Sequence, residues 1–232
     1  MRTVVRKLKR LVRTAAGKDF FERIDIACQT ERLGSHYGGW EVVLAHIDAD
    51  SVVYSFGIGD DASFDLALIE RFDLLVHAFD PTPKSIEWVK AQRLPNRFIQ
   101  HDVGISAFDG TASFKPPDNP DHVSYTILNR PSTQQKAITV QVRRLSTIME
   151  ELGHQHVDIL KMDVEGAEYE VIDDIDASNI RPQQILIEFH HRFPNVGVAK
   201  SKRAIARIRG MGYRLFSVSS SGEEYGFMHV AR

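Results

Sequence analysis

"SVVYSFGIGDDASFDLALIERFDLLVHAFD", residues 51–80, decides the fold. Valines and aromatic residues crowd its first six positions, as in a buried strand. A Gly57-Ile58-Gly59 turn follows. Phe64, Ala67, Leu68 and Phe72 then recur at helical spacing, and "DLLVHAFD" reads as a second strand. Strand, glycine turn, helix and strand make the unit of a doubly wound, mostly parallel sheet. Such sheets bind ligands beyond the C-terminal ends of their strands.

The same rhythm continues along the chain. "PTPKSIEWVKAQ" offers Thr82 as an N-cap and Pro83 at the first helical position. "RFIQHDV" (97–103), "VDILKMD" (157–163) and "QQILIEFHH" (183–191) are further strands. In "VEGAEYEVIDDI", Ala167, Val171 and Ile175 share one helical face. "VAKSKRAIARIRGMG" is helical and stops at glycines. "YRLFSVS" and "YGFMHVA" form a closing hairpin. Residues 104–145 break the pattern: "SAFDGTASF" and "AITVQVRRL" are candidate extra edge strands. The proline-rich "KPPDNPD" is a surface loop, and with "VSYTILNRP" a candidate substrate lid. The expected division is an N-terminal helical or edge extension over 1–48 and one α/β domain over 49–232.

The chain has 232 residues, 43% hydrophobic and 26% charged, with a formal net charge of -2. That balance gives no reason to expect a nucleic-acid binder. A single cysteine, Cys28, excludes an internal disulfide and points to a reducing, cytoplasmic setting. No apolar run approaches a membrane span of about 18 residues. The opening "MRTVVRKLKRLVRTAAGK" lacks the continuous apolar core of a secretory signal. It reads as a basic helix with Val4, Val5, Leu8, Leu11 and Val12 on one side, either packed on the domain edge or offered to a membrane surface or partner.

Gly57-x-Gly59-x-x-Ala62 fits a dinucleotide fingerprint, yet Asp60 and Asp61 stand where a pyrophosphate would dock. Like charges about 4 Å apart cost on the order of 4 kcal/mol at an effective dielectric near 20. S-adenosylmethionine carries an adenosine, a sulfonium and an ammonium, and no phosphate, so it escapes that penalty. The plainer reading makes the two aspartates helix caps, and both readings can hold together. Asp80 follows Gly57 at about the spacing of roughly 20 residues expected for an acid that accepts from ribose hydroxyls. Asp102, at a third strand end, is a candidate acceptor for an adenine amino group, with the Val103 amide beside it; its alternative is a turn aspartate before Gly104.

At "VDILKMDVEGAEYEVI" the chain resembles the FkbM-type family of S-adenosylmethionine-dependent methyltransferases. Their hallmark is a strand ending in Lys-x-Asp-x-Glu-Gly-x-Glu, here Lys161, Asp163, Glu165, Gly166 and Glu168. The resemblance covers roughly residues 50–190. It implies a class I, seven-stranded Rossmann-like fold and methyl transfer, usually to an oxygen of a small molecule or sugar. It also implies that Gly57 and Gly59, with Ile58 and Asp60, line the cofactor's amino-acid end. Asp80 then takes the ribose and Asp102 the adenine. Two positions depart from the wider class I pattern: Ser55 stands where many members have an acid, and Asp61 where many have a third glycine.

Methyl transfer from a sulfonium needs alignment and removal of the acceptor's proton. Asp163, closing its strand, faces the reacting centre, with Glu165 and Glu168 at the start of the next helix. Lys161 lies on the same strand face as Asp163, within reach of a carboxylate. His190 is the candidate general base, because an imidazole titrates near neutrality. Alternatively Asp163, Glu188 and His190 hold a divalent cation that acidifies an acceptor hydroxyl. Two other classes share the sheet: an NAD(P)-dependent oxidoreductase, for which the chain lacks a Tyr-x-x-x-Lys relay, and a non-catalytic nucleoside-binding module.

Overall fold

The computed structural model describes residues 10–117, 119, 124–128 and 131–230. Its main sheet has seven strands in the order β11-β12-β10-β9-β3-β4-β5. These are β3 (Val53–Phe56), β4 (Val76–Phe79), β5 (Phe98–His101), β9 (Ile159–Met162), β10 (Gln184–Glu188), β11 (Tyr213–Val218) and β12 (Glu224–His229). The strands β10, β9, β3, β4 and β5 pair in parallel. β12 runs antiparallel to both β10 and β11, so the expected closing hairpin is present and the sheet is mixed.

Strands buried on both faces need apolar residues at successive positions, and β3, β4 and β9 are buried throughout. One face carries Tyr54, Phe56, Phe79, Leu160, Met162 and Ile187. It packs on α3 (Leu145–Leu152), α4 (Glu168–Ala177) and α5 (Val198–Gly210) through residues such as Ile148, Ile172 and Ile205. The other face carries Val53, Val76, Ile159 and Leu186. It packs on α1 (Ser63–Phe72) and α2 (Pro83–Ala91) through Phe64, Leu68 and Val89. Of the four helical positions singled out in α1, Phe64 and Leu68 are buried, and Ala67 and Phe72 pack at its margin.

The N-terminal extension shares this second core. A short hairpin, β1 (Glu31–Leu33) with β2 (Trp40–Val42), places Leu33, Trp40 and Val42 in it. The side-chain amide of Gln184 bonds both the N–H and the C=O of Val43. The boundary expected at 48/49 therefore runs through a common hydrophobic cluster. Residues 1–9, with Val4, Val5 and Leu8 of the basic stretch, lie outside the described residues. Residues 10–15 are helical; Leu11 and Val12 are exposed, whereas Arg10 is buried against Asp19 and the Phe20 carbonyl.

Residues 104–145 do not extend the main sheet. They form a three-stranded sheet of their own, β6 (Gly104–Ile105), β8 (Ile138–Arg143) and β7 (Gly110–Phe114), in the order β6-β8-β7. β7 and β8 pair antiparallel and bury Ala112, Phe114, Val140 and Val142 in a small core. Their alternating pattern suits any one-faced sheet, and local pairing satisfies it first. A Lys115–Thr126 bridge ties the base of the loop between them. Within that loop, Asp118, Pro120, Asp121, His122 and Val123, part of the candidate lid, lie outside the described residues, as do Asn129 and Arg130.

A histidine cluster sits on the α3 face. His77 Nδ1 lies 3.0 Å from His101 Nε2, and the Tyr54 hydroxyl 2.7 Å from His154 Nδ1. The His77 and His154 rings meet edge to face at 5.1 Å, and Phe79 stacks on His101. Burial, with His101 and His154 alongside, pushes His77 down to about 4. An imidazole depressed in the fold takes its proton first in the unfolded chain. Its contribution is whole above the free value of about 6.5 and is lost as pH falls through 4. Melting temperatures followed by circular dichroism from pH 7 to 4 should therefore fall more steeply for the native chain than for His77→Phe. Parallel curves would contradict this role.

Candidate active site

Strand register brings the selected residues into one row. Phe79 pairs with Phe56, Phe56 with Met162, and Met162 with Ile187. The next residue on each strand is Asp80, Gly57, Asp163 and Glu188, at the C-terminal edge where β3 meets β9. These residues line a cleft of about 1240 Å³. The stacked rings of Phe56 and Phe79, 4.4 Å apart, form part of its floor, with Pro81, Gly104 and Ile105 beside them.

The glycine turn is held from behind. Asp80 Oδ2 accepts from the N–H groups of Ile58 (3.1 Å) and Gly59 (3.0 Å). Asp80 Oδ1 accepts from the Thr82 N–H (2.9 Å) and hydroxyl (2.6 Å). A carboxylate offers about four acceptor directions, and here all are engaged. Thr82 occupies the N-cap position of α2 but makes no side-chain cap; its hydroxyl serves Asp80 instead. Asp80 thus braces the floor of the site.

The two aspartates divide the work. Asp61 accepts from the Ser63 N–H at the start of α1 and from the Ser35 hydroxyl, and Ser35 in turn accepts from the amides of Tyr37 and Gly38. Burial pushes the Asp61 carboxyl up, but these bonds to Ser35 and Ser63 prevail and hold it below its ordinary value. Asp61 is therefore a ligature between the N-terminal extension and the turn, and Asp60, also lining the cleft, is more exposed.

Gly57 has φ +82°, and a Cβ there would sit 1.9 Å from the Asp163 carbonyl oxygen. The Gly57 N–H donates to Phe79 O, and the Lys161 ammonium donates to Gly57 O at 2.7 Å. Lys161 lies 5.8 Å from the Trp40 ring centre and is buried, so it steadies the turn from below. Ser55 is also buried beneath the site, and burial raises its neighbour Asp65.

Across the cleft, His190 is 6% exposed and surrounded by carboxylates. Its Nδ1 lies 3.1 Å from Glu168 Oε1, and its Nε2 lies 3.5 Å from Glu165 Oε2 and 3.7 Å from Asp163 Oδ1. Glu168 is fully buried and also accepts from the backbone N–H groups of His190 and Gly166. Burial works against the Glu168 carboxylate, but the His190 imidazole and the amides outweigh it and hold its pKa down. Burial likewise disfavours a charged His190, yet Glu168, Glu165 and Asp163 raise it well above the ordinary histidine value. Burial, followed by the charge of Asp163, pushes Glu188 up to about 9. Burial also raises Glu165, which stands in the left-handed region at φ +50°. The Thr126 hydroxyl donates to the Glu165 carbonyl and brings the 104–145 insert to the site.

Several expectations are refined by this geometry. His190, expected to titrate near neutrality, is raised well above that range: burial opposes its charge, but Glu168, Glu165 and Asp163 stabilise the charged form. Glu165, rather than Glu188, groups with Asp163 and His190: one donor atom from each lies within 4.8 Å of the others. Asp102 is exposed and accepts from the Gln100 side chain, and neither it nor Val103 lines the cleft. His191 turns away to Asp19. Residues the motifs did not indicate also line the cleft: Tyr37 and Trp40 from the extension, Ser124 and Tyr125 from the insert, and Glu223 and Glu224 from the hairpin. Tyr37, Ser124, Tyr125 and Glu223 lie in loops without periodicity or motif, and Trp40 and Glu224 at the first positions of short strands. Glu168, by contrast, is legible from its place in the hallmark motif.

The profile of the Methyltransferase FkbM domain matches residues 43–215. The probable methyltransferase-like protein 24 of Rattus norvegicus is 28% identical over 161 residues, 67% of this chain and 37% of that protein. The Homo sapiens protein of the same description matches to the same extent. The match thus spans little more than a third of these relatives. Among solved structures, methyltransferase FkbM from Methylobacillus flagellatus aligns with a TM-score of 0.49 and 14% identity, over 79% of this chain and 44% of that one. Aeropyrum pernix fibrillarin, in complex with natively bound S-adenosyl-L-methionine, aligns with a TM-score of 0.43 and 12% identity, over 79% and 67%.

The close approach at Gly57 separates it from a glycine such as Gly153, where positive φ is the whole constraint. Gly153 has φ +73° and open space around its Cβ direction, so Gly153→Ala should cost only the backbone term of about 1–2 kcal/mol. Gly57→Ala adds a collision with backbone and should cost clearly more in urea denaturation. Equal costs would show that β3 and β9 do not meet as described.

Proposed function

The chain belongs to the FkbM methyltransferase family, and we propose that it is an S-adenosylmethionine-dependent enzyme methylating an oxygen of a small, polar acceptor. The observation that carries this reading is the pairing of the Ile58 and Gly59 amides with Asp80. The N–H groups that would cradle a pyrophosphate already serve a carboxylate. Asp60, Asp163 and Glu165 add negative charge to the same cleft. That lining opposes a dinucleotide and suits a cationic ligand. The strand order, with its one reversed strand next to the edge, agrees with a class I methyltransferase sheet.

Gly57, Ile58, Gly59 and Asp60 would hold the cofactor's amino-acid end, and Phe79, Pro81 and Ile105 its apolar part. When bound, S-adenosylmethionine supplies an electrophilic methyl group on a sulfonium and leaves as a neutral thioether. The chain's own residues orient the acceptor and take its proton. Asp163 follows β9 directly beside the Gly57 turn, so with cofactor and acceptor bound its carboxylate would be placed to take that proton. Lys161 and Asp80 keep the turn in place. Ser124, Ser217, Ser219 and Arg32 line the cleft and fit a hydroxylated acceptor such as a sugar.

Calorimetric titration with S-adenosylhomocysteine, with NAD in parallel, tests the reading. Micromolar binding of the first and none of the second is expected; the reverse would return the oxidoreductase. With a panel of hydroxylated acceptors and labelled cofactor, Asp163→Asn should keep cofactor binding and lose about 10²-fold or more in turnover. Unchanged turnover would remove Asp163 from the chemistry.

A further inference from the structure

The cleft contains a donor set that methyl transfer alone does not require. His190 is 6% exposed, and its Nδ1 is committed to Glu168, which leaves Nε2 directed at Asp163 and Glu165. Asp163 Oδ1 is buried and has no hydrogen-bond partner. Leaving a buried acceptor unpaired is costly. Glu165 is presented from a left-handed turn, followed by Gly166 at φ +105° with Leu128 packed against it. The local chain is thus bent to place a carboxylate opposite the imidazole.

We propose that Asp163, Glu165 and His190 form a binding site for one divalent first-row cation, with Glu168 fixing the His190 ring from outside. The separations of 3.5 and 3.7 Å from Nε2 to the two carboxylate oxygens match pairs of bonds of about 2.1 Å meeting at an open, near-tetrahedral angle. An imidazole with two carboxylates selects Mn²⁺, Fe²⁺ or Zn²⁺ over Ca²⁺. A carboxylate on the far nitrogen is the usual support of a ligating histidine. Three protein donors leave positions for solvent or a substrate oxygen. The ion's role toward the acceptor rests on the methyltransferase reading, since a bound hydroxyl is acidified by such an ion. The site itself rests on the donor geometry.

The test is titration of the chelator-stripped full chain with Mn²⁺, free ion being counted by electron paramagnetic resonance, and with Zn²⁺ by calorimetry. S-adenosylhomocysteine is titrated into the same samples. One ion per chain is expected. Affinity should fall at least 10-fold in Glu165→Gln and Asp163→Asn, and about 10–100-fold in Glu168→Gln. It should be unchanged in Glu150→Gln, an exposed acid on α3. Circular dichroism verifies folding; if buried Glu168→Gln fails to fold, Glu165→Gln alone decides. No binding of either ion at millimolar concentration, or binding insensitive to Glu165→Gln, overturns the site. S-adenosylhomocysteine binding without an ion would overturn the cation site and leave the methyltransferase reading standing, and an ion without S-adenosylhomocysteine binding would do the converse.

Discussion

The site depends on one carboxylate. Asp80 sits at the end of β4, next to the strand that carries the glycine turn, and accepts from two successive amides of that turn. This bond set converts a loop built to receive an anion into one whose donors are already used. It also joins the turn to the start of α2 through Thr82. The remaining carboxylates of the cleft can then accumulate without leaving the turn amides unsatisfied, and a cleft of that sign favours a cation. Lys161, donating to the Gly57 carbonyl from below, completes the frame.

Glu168 plays the corresponding part on the other side of the cleft. It satisfies the backbone of Gly166 and His190 and holds the His190 ring at once. A buried carboxylate of this kind is tolerated only when fully bonded. The result is that the start of α4 and the end of β10 are locked together, and Asp163, Glu165 and His190 face one another with little freedom to rearrange. The two buried acids, Asp80 and Glu168, brace the cleft from opposite sides.

Much of this was legible in the chain. The alternation of strand and helix, the Thr82-Pro83 helix start and the closing hairpin all follow from local periodicity and turn chemistry. Asp80, Asp163 and Glu188 stood out as strand-end residues, and the register set them in one row. What sequence could not show depends on long-range pairing. The 104–145 segment alternates like an edge strand, but only the fold reveals that it pairs with itself. Asp61 looks like a second cleft charge, but its partner is Ser35, on a loop with no pattern of its own. His190 looks like a near-neutral base, but Asp163, Glu165 and Glu168, all from the one stretch that joins β9 to α4, stabilise its charged form.

The most direct test of the central claim is amide hydrogen exchange at Ile58 and Gly59, followed by nuclear magnetic resonance in the ligand-free protein. Slow exchange at both, lost in Asp80→Ala while the Phe56 amide stays protected, is the result the account predicts. Fast exchange at Ile58 and Gly59 in the native chain would mean that the turn amides are free to bind an anion, and the reading of the cleft as a cation site would fail.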